Sequence, residues 1–359
     1  MRRALEHTAV NITGQSAHSV GHGVLQVDTA LQYLVAGASQ PAADVQTRYS
    51  VKTSCGGVSG RGIYLRQPYQ VTGVSASATV FVTPHIHEDV PSQAKIGYEK
   101  KVAVSCTAAW VQVPTHLLLA NAARSFSVEI DLEALAEGVH YTEIVAVDGD
   151  GDAASPPVLF RVPVTVIKPS IVPADGQFRI ARTALAFTPG HIDRQFISVP
   201  EGSTWATIRL QTGAFDGSRR FLMHLVQLRP GLSAQDGQWK RYVVSGGLES
   251  HVFHVKVVGG FTLEVCLAQF WMSLGDSSLD LSVEFHSVSA PNSISITGAA
   301  GETQVDVTAA FRAVNLEPSG QLKQWQQSVR PEANPVIRPL LDVRDVLPEG
   351  RRIFEMQLV

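Results

Sequence analysis

Twenty consecutive residues, HVFHVKVVGGFTLEVCLAQF (251–270), constrain the fold more than any other stretch of the chain. Apolar side chains recur at every second position on both sides of Gly259-Gly260, the period of an extended strand and not of a helix. A strand with one dry face needs a second layer to bury it, so the pattern demands packed sheets. The glycine pair predicts a two-residue hairpin, because glycine takes positive φ at no steric cost. Phe253, Val255 and Val257 are then expected opposite Phe261, Leu263 and Val265.

The same period recurs on either side. SLDLSVEFHSV (278–288) sets Leu279, Leu281, Val283 and Phe285 against Asp280, Ser282, Glu284 and His286. RFLMHLVQL (220–228) is apolar on both faces, as a central strand covered twice would be. Earlier, SFSVEIDL (125–132) puts Phe126, Val128, Ile130 and Leu132 on one face. VSCTAAWVQV (104–113) and VLFRVPVTVI (158–167) read as strands, with Pro114 and Pro163 marking edges or strand ends. Without a βαβ rhythm, residues 63–168 form an antiparallel sandwich and residues 169–290 a jelly-roll-like one, joined through KPSIVPADG (168–176). CGGVSGRG (55–62) is a loop closing a linker over 38–62. Beyond Pro291 the expected elements are a hairpin in ISITGAAGETQVDV, a short helical LKQWQQSV, a proline-rich tether RPEANPVIRP and a last strand in RRIFEMQLV.

Helical signals are confined to the first 37 residues. RRALEHTAV (2–10) ends a helix at Thr8-Ala9. GHGVLQVDTALQYL (21–34) gives a second, with Asp28 as N-cap, Leu31, Leu34 and Val35 on one face and Gly37 beyond the end.

A chain of 359 residues can build two or three cores, and 45% hydrophobic with 17% charged residues is the composition of a packed interior. A net charge of −3 gives no electrostatic case for nucleic acid or an anionic membrane. No segment approaches the roughly 18 apolar residues of a spanning helix, and MRRALEHT lacks a signal-peptide core. Cys55, Cys106 and Cys266 are odd in number, far apart and in apolar settings. They read as reduced, mostly buried thiols, which points to the cytoplasm.

Candidate chemistry is sparse. Ser54 and Ser59 lie in a glycine-rich stretch, but GVSGRG departs from Gly-x-Ser-x-Gly, and loop serines account for them. His85 and His87 would share a face of an extended segment beside Glu88, a geometry a metal could use, but no second cluster completes four ligands. Asp148, Asp150 and Asp152 resemble the start of a calcium loop, yet Ala153 replaces the required glycine and Leu159 the bidentate glutamate. Gly21-His22-Gly23 lacks the third glycine of a dinucleotide site. Trp205 and Trp271 could stack a sugar, but Trp205 reads as an interior residue at the start of a strand, and Trp110 as core. No residue is assigned a catalytic, cofactor or metal role.

Long stretches resemble the tripeptidyl-peptidase II family of subtilisin-like serine exopeptidases. They run in order from RRALEHTA and GHGVLQVDTALQYL through GRGIYLR (60–66), WVQVPTHLLLAN (110–121), EGVHYTEIVAVD (137–148) and LFRVPVTV (159–166). PGHIDRQFISVPEGSTWATI (189–208), HLVQL (224–228) and RDVLPEGRRIFEM (344–356) complete the series. The resemblance implies a mainly β chain truncated at both ends. Residues 1–37 would be the tail of a subtilisin-like α/β domain, 63–168 an Ig-like sandwich and 169–290 a galactose-binding-like jelly roll. Residues 291–359 would open a further domain.

It also implies a cytosolic enzyme that removes tripeptides from free N-termini of oligopeptides, with an Asp-His-Ser triad and large stacked homo-oligomers. No GTSM-like nucleophile motif occurs here, so the chain is expected to be a non-catalytic scaffold section, inactive alone. Its partners would be other protomers of the family, with oligopeptides as substrates only of the full-length enzyme, and no cofactor. The alternative is a stand-alone β-sandwich module binding glycan or peptide.

Overall fold

The computed structural model describes residues 1–10, 12–13, 20–37, 47–149, 158–174, 177–291, 294–296 and 302–315, with 317, 321, 324, 338–339 and 354–355. It divides into two compact units, Met1–Ala313 and Val314–Val359. In the second unit, Arg338–Pro339 pairs antiparallel with Phe354–Glu355. The two-residue strand at Phe354 meets the expectation for RRIFEMQLV, and Arg338–Pro339 turns the end of the expected tether into its partner. Most of LKQWQQSV lies outside the described residues.

The first unit begins with helices α1 (Arg2–Thr8) and α2 (Val27–Gly37), linked by a bridge between Val10 and Val24. Helix α2 starts two residues earlier than expected. The N–H of Ala30 bonds to Gln26 O, so Asp28 lies inside the first turn, where its charge faces the positive end of the helix dipole, and Gly37 is the last helical residue. Val24, Leu25, Val27, Leu31 and Val35 are exposed.

The first sandwich stacks two five-stranded sheets. One orders β2 (Val58–Gly60), β1 (Thr47–Cys55), β4 (Ser75–Ile86), β8 (Arg124–Asp131) and β6 (Val111–Gln112). The other orders β3 (Ile63–Leu65), β10 (Val158–Lys168), β9 (Gly138–Asp148), β5 (Glu99–Cys106) and β7 (His116–Ala120). Alternation buries Val80, Val82, Phe126, Val128 and Ile130 against Val104, Ile144, Val162 and Val164. Two expectations change here. Residues 47–60 are strands of this core and not linker, because Thr47 and Thr53 are buried and β1 pairs with β4 along its whole length. VSCTAAWVQV is two strands in different sheets, since the chain crosses the sandwich between Cys106 and Val111. Pro163 sits within β10, where the parallel partner β3 has not yet begun, so its missing N–H costs no ladder bond on that side.

The second sandwich stacks the sheet β11 (Ser170–Ile171), β13 (Ile192–Ser198), β18 (Thr262–Gln269), β15 (Arg219–Val226), β16 (Gln238–Ser245) on the sheet β12 (Arg179–Phe187), β19 (Ser277–His286), β14 (Trp205–Thr212), β17 (Ser250–Lys256). Leu279, Leu281, Val283 and Phe285 are all buried, as the alternation of β19 requires. β15 has neighbours on both sides but one dry face: Phe221, Met223 and Leu225 are buried and Leu222, His224 and Val226 only partly so. Farther along, β20 (Val288–Ser289) pairs with β21 (Thr308–Ala309), while the described residues of 294–307 carry no strand.

The glycine pair that dominates the sequence does not make a hairpin. β17 belongs to one sheet and β18 to the other, so Gly259-Gly260 carries the chain from layer to layer as an arch. Val255 and Val257 meet Leu263 and Val265 in the shared core, from opposite layers and not as cross-strand neighbours. A hairpin would have kept both apolar faces on one side of one sheet; the arch folds them against each other. Gly260 has φ +79°, and a Cβ on Gly259 would lie 2.6 Å from Pro200 O and 2.7 Å from Gly202 N. The two-residue glycine hairpin is instead Gly56-Gly57, at φ +54° and +80°, closing the ladder Cys55↔Val58 in the stretch read as a loop.

Gly260→Val should therefore lower stability by about 1–3 kcal/mol through the strained φ. Gly259→Ala should cost at least as much, although its φ is ordinary, because the added methyl meets backbone. Urea titration of both variants checks this; a tolerated Gly259→Ala would contradict the arch.

Candidate functional site: the interface between the two sandwiches

Strand β3 buries Ile63 and Leu65 in the first core and ends just before Arg66. The next residues turn sharply into a single helical turn, α3 (Pro68–Val71), with proline at the position whose N–H is not needed. Gln70 Oε1 accepts from the backbone N–H of Arg66 at 3.0 Å and of Gln67 at 2.9 Å. These bonds aim the Arg66 and Gln67 side chains into the second sandwich.

Arg66 Nη2 lies 3.0 Å from Glu264 Oε2, with the two side chains 5% and 8% exposed. The same guanidinium donates to Val226 O at 3.4 Å and to Tyr64 Oη at 3.3 Å, and stands 5.7 Å from the centre of the Phe196 ring. Glu264 also accepts from Arg194 Nη1 at 3.0 Å and from the Cys266 thiol at 3.2 Å. Gln67 donates to Leu228 O at 2.8 Å and accepts from the N–H of Thr262 at 3.0 Å. Thr262, fully buried, returns a bond from Oγ1 to Arg66 O at 2.6 Å. Burial, then the neighbouring Glu264 charge, pushes the Cys266 thiol up to about 12, so it stays protonated and donates.

A second seam follows the chain itself. β10 passes into β11 with Pro169 between, and Ser170 Oγ donates to Glu137 at 2.6 Å and accepts from Arg182 at 2.8 Å. Lys168 Nζ donates to Leu132 O and Leu135 O at 3.0 and 2.8 Å. The expected linker at 168–176 is, in its described part, a short strand and a hydrogen-bonded seam. Between the seams lies a cleft of about 370 Å³ lined by Val71, Val74, Glu133, Pro169 and Ile171 among others.

The structure separates the residues that the sequence singled out. Ser54 and Ser59 face each other across the β1–β2 ladder, and the described hydrogen bonds give neither a histidine. The Ser–His contact present joins Ser50 to His85 at 2.7 Å, on an exposed surface. His87 turns to Asp89 at 3.2 Å. Asp148 is bound by Lys100 at 2.7 Å, leaving its carboxylate engaged by a cation; Asp150 and Asp152 lie outside the described residues. Among the described residues no cluster of His, Cys, Asp or Glu could hold a metal.

Trp110 packs on the first core beside His140, as read. Trp205 does not: it is 42% exposed, because β14 begins with its odd positions on the outer face. Trp271 is exposed in the loop after β18. All three cysteines are free and only partly buried. No described helix is long and apolar enough to cross a membrane.

Sequence reasoning passed over Glu264, although a carboxylate inside the apolar run FTLEVCL is the pattern of a buried charge that needs a cation. Gln67 carried no such signal.

Fold and site together define a class of protein in which two β-sandwiches are joined by buried polar contacts. Three family profiles match it: "Tripeptidyl-peptidase II, first Ig-like domain" over residues 48–167, "TPPII, galactose-binding domain-like" over 187–275, and "Tripeptidyl peptidase II" over 309–359. Tripeptidyl-peptidase 2 of Oryza sativa subsp. japonica is 31% identical across all of this chain, and that of Drosophila melanogaster 30% across 99%. A crystal structure of tripeptidyl peptidase 2 superposes over 99% of the chain and 30% of its own, with a TM-score of 0.77 at 29% identity. The chain belongs to the tripeptidyl-peptidase II family and spans about a quarter of the length of the curated relatives it matches, 26% and 25%. Relatives of this kind along the whole chain do not favour a free-standing glycan or peptide module.

Glu264→Leu should destabilise the first unit by about 3–5 kcal/mol, because it strands Arg66 in the interface. Arg66→Met should cost less, since Glu264 keeps Arg194, and the double variant should recover part of the loss. Chemical denaturation of the three checks it; equal costs would contradict the pairing. The Cys266 thiol has an ordinary value of 9.0 and sits at about 12 when folded, so the unfolded chain loses this proton first. Stability should fall between about pH 9 and 12, and Cys266→Ala should flatten that decline.

Proposed function

We propose that this chain is a non-catalytic scaffold and assembly section of a tripeptidyl-peptidase II. The enzyme would act in the cytoplasm, removing tripeptides from free N-termini of oligopeptides. Residues 1–37 would close the peptidase domain, and the two sandwiches would hold it at a fixed distance from neighbouring protomers in a large homo-oligomer. The observation that carries this reading is the double seam. Arg66, Gln67, Thr262 and Glu264 on one side, with Glu137, Ser170 and Arg182 on the other, oppose rotation of one sandwich on the other. Assembly scaffolds need that rigidity, and catalysis has no use for these groups. The exposed Val24, Leu25, Val27 and Leu31 are consistent with a helical segment that packs on further protein.

Purified chain should release no tripeptide from a peptide with a free N-terminus and should leave a fluorophosphonate serine probe unreacted. It should also co-sediment with a full-length family member. Turnover abolished by mutating one of its own serines would overturn the scaffold reading.

A further inference from the structure

The outer face of the sheet that carries Glu264 is covered by the first sandwich at one end only. At the other end β16 is the edge strand, eight residues long, in unbroken register with β15. Among the described residues nothing pairs with its free side. The other edge of the sheet, β11, has two residues. Edge β12 of the opposite sheet is interrupted by a register shift between Arg182 and Leu185, with Ala184 at φ +54°. Both are blunted in ways that resist strand addition; β16, like the seven-residue edge β17 of the opposite sheet, is not.

The side chains beside this edge form a cationic and apolar surface. In the ladder Lys240 lies opposite His224, Tyr242 opposite Leu222, and Val244 opposite Arg220. Tyr242 and Val244 are exposed. The Arg220 guanidinium is stacked between two rings, 4.2 Å from the centre of Tyr242 and 5.0 Å from Phe270, and Lys240 Nζ is 5.7 Å from Tyr242. The backbone of Arg220 is pinned as well, by Phe270 N–H at 2.8 Å and by Ser273 Oγ at 3.0 Å. Among the described residues at ladder positions on this face the carboxylate is Glu264, which Arg66 and Arg194 already hold. Neither Arg220 nor Lys240 has an ion-pair partner among the described residues. The outer face of the opposite sheet is different: there Glu284 answers Arg179 and Arg312.

We infer that β16 receives an extended, acidic segment of a partner protein by strand addition. Backbone bonds along the edge supply the affinity, and side chains on the outer face meet Lys240, Tyr242 and the ring-held Arg220. A guanidinium already oriented by two rings loses little freedom on meeting a carboxylate. Charge selects the occupant. A second copy pairing antiparallel along the whole of its own β16 would crowd Lys240 and Arg241 of both copies near the middle of the ladder, a like-charge contact that disfavours self-pairing. An acidic strand removes that repulsion. The inference goes beyond the scaffold reading and does not rest on it.

The test uses the whole chain and a fluorescent peptide of about ten residues alternating glutamate and valine. Its controls are the same peptide with lysine for glutamate, one N-methylated at alternate amides, and vesicles of phosphatidylcholine with phosphatidylserine. The expected result is saturable binding of the acidic peptide alone, weakening with salt. The double variant Arg220→Glu, Lys240→Glu should lose at least about tenfold in affinity at an unchanged melting temperature and should gain the lysine peptide. Equal binding of both charge types, full binding of the N-methylated peptide, indifference to the double variant, or binding to vesicles and to no peptide would each overturn it.

Discussion

The Arg66–Glu264 ion pair is the contact on which the arrangement of the first unit depends. Each group belongs to a different sandwich, and each is almost wholly removed from water. Two such charges are costly to bury apart, so the pair joins the two sandwiches into one body with a defined relative orientation. The surrounding bonds make the conversion specific. Gln67 reaches two backbone groups of the second sandwich, and Thr262 reaches back to the carbonyl of Arg66. Apolar contact alone would tolerate sliding; directed bonds to backbone do not.

The interface also explains features that look unrelated. The single helical turn after β3 exists to aim Arg66 and Gln67, with Gln70 closing it from behind. The Cys266 thiol is held protonated by its burial first, then by the charge of Glu264 and the hydrogen bond it donates to that carboxylate, which the arginines also hold. The chain passes between the domains through one proline, and Ser170 is tied on both sides within that passage. A flexible linker would have made the buried pair expensive to form; a short strand delivers both partners nearly in register.

The sequence was most legible where one physical rule acts alone. Period-two alternation identified β8 residue for residue, since burial on one face is all that strand negotiates; in β19 it found the dry face, but Ser282 and His286 on the other face are buried as well. It failed where two arrangements satisfy the same pattern. Gly259-Gly260 fits a hairpin and an arch equally well, because both need positive φ and both bury alternate side chains; which layer the second strand joins is decided by β13 and β15, far away in sequence. Trp205 was misread for a related reason, since a strand's first residue can open on either face. The interface partners lie about two hundred positions apart, and no local signal couples them. Glu264 announced a buried charge, and nothing in FTLEVCL said where its cation would come from. The sequential resemblance located the family that local chemistry alone could not.

The central claim is that the two sandwiches behave as one body through these buried contacts. Differential scanning calorimetry of the chain tests it most directly, comparing calorimetric with van't Hoff enthalpy for the transition of the first unit. The account predicts a single cooperative transition spanning both sandwiches, which Glu264→Leu splits into two. Two independent transitions in the unaltered chain, unmoved by that substitution, would contradict it.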